Sequence, residues 1–184
     1  LEVMPGIRKI TVANVHTPGR AEAFAGEVKQ TTPAGITVDF AEDMSSLELA
    51  VREADIILTA TPSKEGLIKA DWVRPGTHLS CIGSDMEGKQ ELELELTAGA
   101  KCFADDTKQV IAVGECEKAV KAGLLDPGDI TEIGDVILNK HPGRRSDDEI
   151  TMFDSTGIGL QDLMTASMII DKAKELNIGT VLKI

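Results

Sequence analysis

Short β-branched runs alternate with stretches of helical period along nearly the whole chain, and no other feature constrains the fold as much. Residues 10–15 (ITVANV) read as a first strand, 36–40 as a second and 55–60 (DIILTA) as a third. The third is continuously apolar, as expected of a parallel strand buried on both faces. Residues 77–82, 102–104 and 150–153 read as strands four to six. Between them lie helical segments at 18–29, 45–53, 89–98, 107–123 and 130–140, and a long amphipathic helix at 159–176. Pro18 opens the first of these, with Ala21, Phe24, Ala25 and Val28 on one face. Ser45 or Ser46 caps the second, with Leu47, Ala50 and Val51 inward. Residues 62–76 read as a long connection holding the single Trp, 141–148 as a polar loop and 180–184 as an extended tail. One Trp, four Phe and no Tyr are too few aromatics for a typical sandwich or barrel. The pattern predicts one domain, an open, doubly wound, mostly parallel α/β sheet with helices on both faces.

Residues 1–6 (LEVMPG) read as a helix end followed at once by a strand, so the expectation is that an element precedes them. The length of 184 residues suits a single domain, and 42% hydrophobic with 27% charged residues is globular composition. A net charge of −12 argues against nucleic acid and against an anionic membrane surface, since both require a positive face. No run of about 18 apolar residues occurs, nor does a basic stretch leading into an apolar core at the start. Cys81, Cys102 and Cys116 form no C-x-x-C and read as small buried residues of a reducing, cytoplasmic compartment. No set of His and Cys has metal-ligand spacing, and His16, His78 and His141 read as structural.

Ligands of such sheets bind beyond the carboxyl ends of the strands. Those ends carry Val15-His16-Thr17, then Thr59-Ala60-Thr61-Pro62-Ser63, then Gly83-Ser84-Asp85 with Gly88-Lys89, then Asp154-Ser155-Thr156-Gly157. Glycines let a ligand approach the backbone and hydroxyls give directional hydrogen bonds, although the same residues also form ordinary turns. Asp85 reads in two ways. It is a general acid or base if burial raises its pKa, or the N-cap of a helix around Lys89. Residues 154–157 lead into a long helix whose first turn favours an anion or polar ligand. Arg144 and Arg145 read as solvated charge.

Ala54-Asp-Ile-Ile-Leu-Thr-Ala-Thr61, Pro75-Gly-Thr-His-Leu79, Ile82-Gly-Ser-Asp85 with Gly88-Lys-Gln-Glu-Leu92, Ser146-Asp-Asp-Glu-Ile-Thr, and Phe153-Asp-Ser-Thr-Gly157 with Gln161-Asp162 resemble the ornithine cyclodeaminase/mu-crystallin family. The likeness runs in order through nearly the whole chain. It implies an NAD(P)-dependent oxidoreductase or cyclodeaminase acting at the α-carbon of an amino acid or cyclic imine. Members include ornithine cyclodeaminases, alanine dehydrogenases and ketimine reductases. Carried over position by position, Asp85 resembles the acid/base carboxylate. Thr61, Cys81, Ile82, Gly83, Ser84 and Lys89 would face the nicotinamide side of the cofactor, Ser155 would touch the cofactor, and Thr156 the substrate. The resemblance also implies a homodimer for the complete enzyme.

Two departures qualify it. No carboxylate occurs in residues 14–20, where such enzymes read the adenosine ribose, and His16, Thr17 and Arg20 stand there instead, which favours NADP over NAD. No G-x-G-x-x-G occurs either, so the first strand, Gly-rich loop and helix, together with the substrate domain, are expected outside these residues. The chain then reads as part of such an enzyme, as one subunit of a split enzyme, or as a non-catalytic binding or assembly module that keeps the fold.

Overall fold

The computed structural model describes residues 4, 6–180 and 182. The elements run β1 (Lys9–Ala13), α1 (Arg20–Thr31), β2 (Thr37–Ala41), α2 (Met44–Glu53), β3 (Ile56–Thr59), β4 (Lys64–Ile68), β5 (His78–Cys81), β6 (Gln90–Leu92) and α3 (Leu94–Gly99). They continue with β7 (Lys101–Ala104), α4 (Thr107–Val113), α5 (Cys116–Lys121), β8 (Thr131–Glu132), α6 (Ile133–Ile137), β9 (Thr151–Asp154) and α7 (Gly159–Leu176). Single 3-10 turns occur at Ala70–Trp72 and Pro127–Asp129.

Every strand pair is parallel, as the alternation predicts. The central sheet has the order β3-β5-β9-β7-β8, while β1-β2 and β4-β6 form two smaller sheets. The register aligns Thr59 with Cys81, Cys81 with Asp154, and Asp154 with Ala104, so these strands end along one line. Leu79, Leu92, Val110, Ala104, Cys116 and Met152, all fully buried, make the centre of the core beside Cys81 and Cys102.

Local chemistry explains where elements begin. Asp43 accepts the Ser46 N–H at 2.7 Å and the Ser46 hydroxyl accepts the Asp43 N–H at 3.2 Å, a reciprocal cap that starts α2. Asp43 is therefore the capping residue expected at Ser45 or Ser46. Pro18 lies ahead of α1, whose entry is Gly19 at φ 75. Asp106 caps α4 through the Gln109 N–H at 2.8 Å.

Several expectations are corrected. The connection at 62–76 contains β4, and the helix expected at 89–98 is instead β6 followed by α3. Gln90 and Leu92 pair with Lys64 and Ile68, and that tertiary pairing overrides the helical spacing of Leu92 and Leu96. The helix expected at 107–123 breaks at Gly114, where a Cβ would stand 2.6 Å from the Asp154 carboxyl and 2.7 Å from the Val110 backbone. The segment at 130–140 begins as β8 and becomes helical only over Ile133–Ile137. Phe24 is exposed while Ala21 and Ala25 are buried. On β3, Ile57 and Thr59 are buried but Ile56 and Leu58 are 41% and 62% exposed, so one face of the strand expected to be covered on both sides is open. The reading of residues 1–6 as a helix end rests largely on residues outside those described, as does most of the tail at 180–184.

Candidate active site

The in-register ends of β3, β5, β9 and β7 bring most of the predicted residues to one edge of the central sheet. Ser155 donates its N–H to the Cys81 carbonyl at 2.9 Å, which fastens the loop after β9 to the end of β5. The loops after β3 and β5 meet at one carboxyl group: Glu91, in the middle of β6, accepts the Thr61 N–H at 2.5 Å and the Gly83 N–H at 3.1 Å. The Ser84 hydroxyl donates to Glu115 at 2.6 Å, and Glu115 also accepts the N–H groups of Glu91 and Leu92. Asp105, just past β7, accepts from the Ser155 hydroxyl at 3.0 Å and the Gly157 N–H at 2.9 Å, and lies 3.5 Å from the Thr156 hydroxyl. With its proton committed to Asp105, the Ser155 hydroxyl has lone pairs left for a ligand's donor.

Asp85 sits on this rim with its side chain half exposed, paired to Lys89 Nζ at 2.5 Å. The Lys89 ammonium, itself largely buried, also donates to the Gly83 carbonyl at 3.1 Å. The hydrogen bond that Lys89 donates to Asp85 holds the Asp85 carboxyl below its usual range. The expectation that burial raises it is therefore corrected, since Asp85 is exposed and ionised at neutral pH. Its alternative role as a helix cap is corrected too, because the segment around Lys89 is a turn and strand, and α3 begins only at Leu94.

Cys81 and Ser84 are 1% exposed, and Ile82 is exposed. Burial pushes the Cys81 thiol up, and the contact with Cys102 together with burial does the same to Cys116, so neither is a reactive thiolate. His16 and Thr17 stand at the corresponding end of β1, in a separate two-stranded sheet. The Asn14 side chain accepts both of their N–H groups, at 3.2 and 2.9 Å, and so holds that turn. His78 hydrogen bonds Thr151 at 2.8 Å, and burial lowers its pKa. Arg144 and Arg145 are exposed, and the Arg144 guanidinium in addition donates to the Gly76 and Glu149 carbonyls and to Thr151, closing the loop at 141–148 onto the sheet. Among the described residues no group of three or more His, Cys, Asp or Glu is arranged to hold a metal ion.

Glu91, Glu115 and Asp105, which hold the rim, escape a reading by residue type. The sequence around them gives no pattern that sets them apart from solvated acids: Glu91 stands in Gln90-Glu91-Leu92, Glu115 beside Cys116, and Asp105 in Asp105-Asp106.

A parallel sheet with glycines, hydroxyls and one ionised carboxylate along its carboxyl edge defines a nucleotide-binding type of α/β domain. The family model for the "Ornithine cyclodeaminase/mu-crystallin family" matches residues 1–177, and the chain belongs to that family. It is 42% identical over 130 residues to an alanine dehydrogenase of Archaeoglobus fulgidus, covering 70% of this chain and 40% of that protein. It is 39% identical over 132 residues to an iminosuccinate reductase of Paracoccus denitrificans, covering 72% and 41%. Among solved structures, Thermococcus litoralis Δ(1)-pyrroline-2-carboxylate reductase with NADH and L-proline superposes with a TM-score of 0.87 at 29% identity, over 96% of this chain and 53% of that one. The Paracoccus iminosuccinate reductase in complex with NAD+ gives 0.84 at 33% identity, over 96% and 52%. The chain thus spans about half the length of the relatives it matches.

Proposed function

We propose that this chain is the larger part of the dinucleotide-binding domain of an NAD(P)-dependent oxidoreductase or cyclodeaminase acting at the α-carbon of an amino acid or cyclic imine. The single observation that carries this is the convergence of Thr61, Gly83, Ser84, Asp85 and Ser155 on one sheet edge, the main chain and hydroxyls held by Glu91, Glu115 and Asp105 and the Asp85 carboxyl by Lys89. The rim fits the nicotinamide half of a dinucleotide: a Cβ at Gly157 would meet nothing within 4 Å, so the backbone there is open to close approach, and Ser155 has acceptor capacity for an amide or ribose donor. A bound dinucleotide supplies or accepts the hydride.

In this reading Asp85 takes a proton from the substrate nitrogen or balances positive charge that develops on it as the C–N double bond forms. An ionised carboxylate is suited to both tasks. Lys89 keeps Asp85 ionised and oriented, and its bond to Gly83 ties that orientation to the end of β5. Thr156 lies next to Ser155 and is assigned to the substrate. The absence of a carboxylate at residues 14–20 favours a coenzyme with a 2′-phosphate facing His16, Thr17 and Arg20.

The pyrophosphate cradle and the substrate domain belong to residues beyond this chain, on the same polypeptide or on a separate one. Supporting this, β1 and β3 each offer an edge unpaired among the described residues, and Ile56 and Leu58 beside that edge are exposed. Helix α7 exposes Leu160, Leu163, Met164, Met168, Ile169 and Ile170, as a surface that joins a substrate domain or a second protomer would. Three buried free thiols suit a reducing, cytoplasmic compartment. Among the described residues no helix is long and apolar enough to cross a membrane.

The test is Asp85→Asn in the full-length enzyme. Turnover with a panel of amino acids and cyclic imines is expected to fall by about 10²–10⁴-fold. Dinucleotide affinity, followed by fluorescence titration, is expected to stay within about threefold, because the carboxylate acts on the substrate. Unchanged turnover contradicts the assignment of Asp85.

A further inference from the structure

The loop between β5 and β6, which carries Asp85, is pinned at three points by carboxyl groups outside it and at a fourth by its own Lys89. Glu91 accepts the Gly83 N–H at 3.1 Å, and the Lys89 ammonium donates to the Gly83 carbonyl at 3.1 Å. Glu115 takes the Ser84 hydroxyl at 2.6 Å, and Glu117 takes the Gly88 N–H at 2.9 Å. Glu91, Glu115 and Glu117 are all at most 2% exposed, an unusual concentration of buried acids with no buried cation to balance it apart from the ammonium groups at its margin.

Burying a carboxyl group is costly, and the cost is offset here by main-chain and hydroxyl donors and, for Glu117, by the Lys121 ammonium at 2.7 Å. Glu91 differs from the other two because its one carboxyl group spans two loops, accepting from Thr61 after β3 and from Gly83 after β5. Its fit is tight: a Cβ at Gly83 would lie 2.5 Å from all three carboxyl atoms of Glu91, so glycine is required at that position for the clamp to close. The Thr61 and Gly83 N–H groups are thereby committed and unavailable to a ligand.

Resting on the functional reading above, we propose that Glu91 is a positioning residue: its carboxyl group fixes the separation of the loops after β3 and β5, and so the distance between the nicotinamide-facing rim and Asp85. Glu115 extends the lock by holding Ser84 beside Asp85. Hydride transfer is sensitive to donor–acceptor separation, so a rim that loosens by a fraction of an ångström slows the chemical step more than it weakens binding of the whole dinucleotide.

The test is Glu91→Gln in the full-length enzyme. Glutamine keeps the volume but offers one acceptor oxygen, so one of the two N–H groups faces an amide N–H₂ instead. Expected are a fall in kcat on the order of tenfold per folded molecule, dinucleotide affinity within about threefold, and a larger primary deuterium isotope effect with C4-deuterated coenzyme. A purely structural role lowers the melting temperature and leaves kcat and the isotope effect of the folded fraction unchanged, and that result overturns the proposal. Should Glu91→Gln not fold, Ser84→Ala releases the Glu115 lock with little change in volume. It is expected to lower kcat and raise the isotope effect in the same sense, and an unchanged isotope effect there overturns the proposal equally. A wild-type enzyme that transfers no hydride contradicts the functional reading itself, whereas wild-type transfer with unaffected variants contradicts this inference alone.

Discussion

The carboxyl edge of the central sheet and the helix that follows it use similar apolar and hydroxyl residues to opposite ends. Around β5 and β9, Leu79 and Met152 are fully buried, and even the polar residues beneath the rim, Ser84, Glu91, Glu115 and Asp154, are at most 1% exposed. A few residues on, α7 has no buried residue, and its Leu, Met and Ile side chains are more than half exposed. The difference lies in cover, not in composition. The first region is enclosed by α3, α4, α5 and its neighbouring strands, whereas nothing among the described residues packs over α7 or over Ile56 and Leu58. Hydrophobicity marks a surface for burial, and only the arrangement of elements says whether the same chain buries it.

That contrast can be broken by substitution in the 184-residue chain. Leu79→Ala removes a side chain with no exposed surface and is expected to cost about 3 kcal/mol in urea unfolding, within the range for cavities in tight cores. Met168→Ser, on α7, truncates a side chain of similar size but is expected to change stability by less than about 0.5 kcal/mol, since that side chain is 68% exposed. Comparable costs at the two positions would show that α7 is packed in solution.

Asp154 sharpens the comparison through pH. It sits at the end of β9 with no exposure, takes the Cys116 N–H at 2.9 Å, and leaves Oδ1 without a partner. Burial pushes its pKa from 3.8 up to about 7. A raised folded-state value means that stabilisation of the protonated form is complete below 3.8 and is lost as pH rises through about 7. Asp154→Asn does not titrate, so its stability relative to wild type is expected to rise by roughly 2 kcal/mol between about pH 5 and about pH 8. A pH-independent difference would mean that the carboxyl is hydrated.

The sequence was most legible where one strand's pattern is complete in itself. The runs at 10–15, 36–40, 55–60, 77–82, 102–104 and 150–153 all overlap observed strands to within a residue or two at their ends. The strand β6 was hidden because Gln90-Glu91-Leu92 has no strand pattern of its own. It is extended because Lys64–Ile68 lies alongside, a fact settled some two dozen residues away. The rim was legible as a list of loops, since Gly, Ser and Thr after strands recur at ligand sites. Its supports were not, because a glutamate in the sequence gives no sign of whether it will face water or two main-chain N–H groups. For the same reason the condition set for Asp85, that burial raise its pKa, is not met: its partner Lys89, four residues on, lowers it.

Whether the rim is the nicotinamide half-site is measured most directly by a structure of the full-length enzyme with bound NAD(P)H. The predicted result places the nicotinamide ring against residues 82–84 and Ser155, with the Asp85 carboxyl on the side of the ring that the substrate occupies. A dinucleotide bound with its nicotinamide away from the ends of β3, β5 and β9 would contradict it.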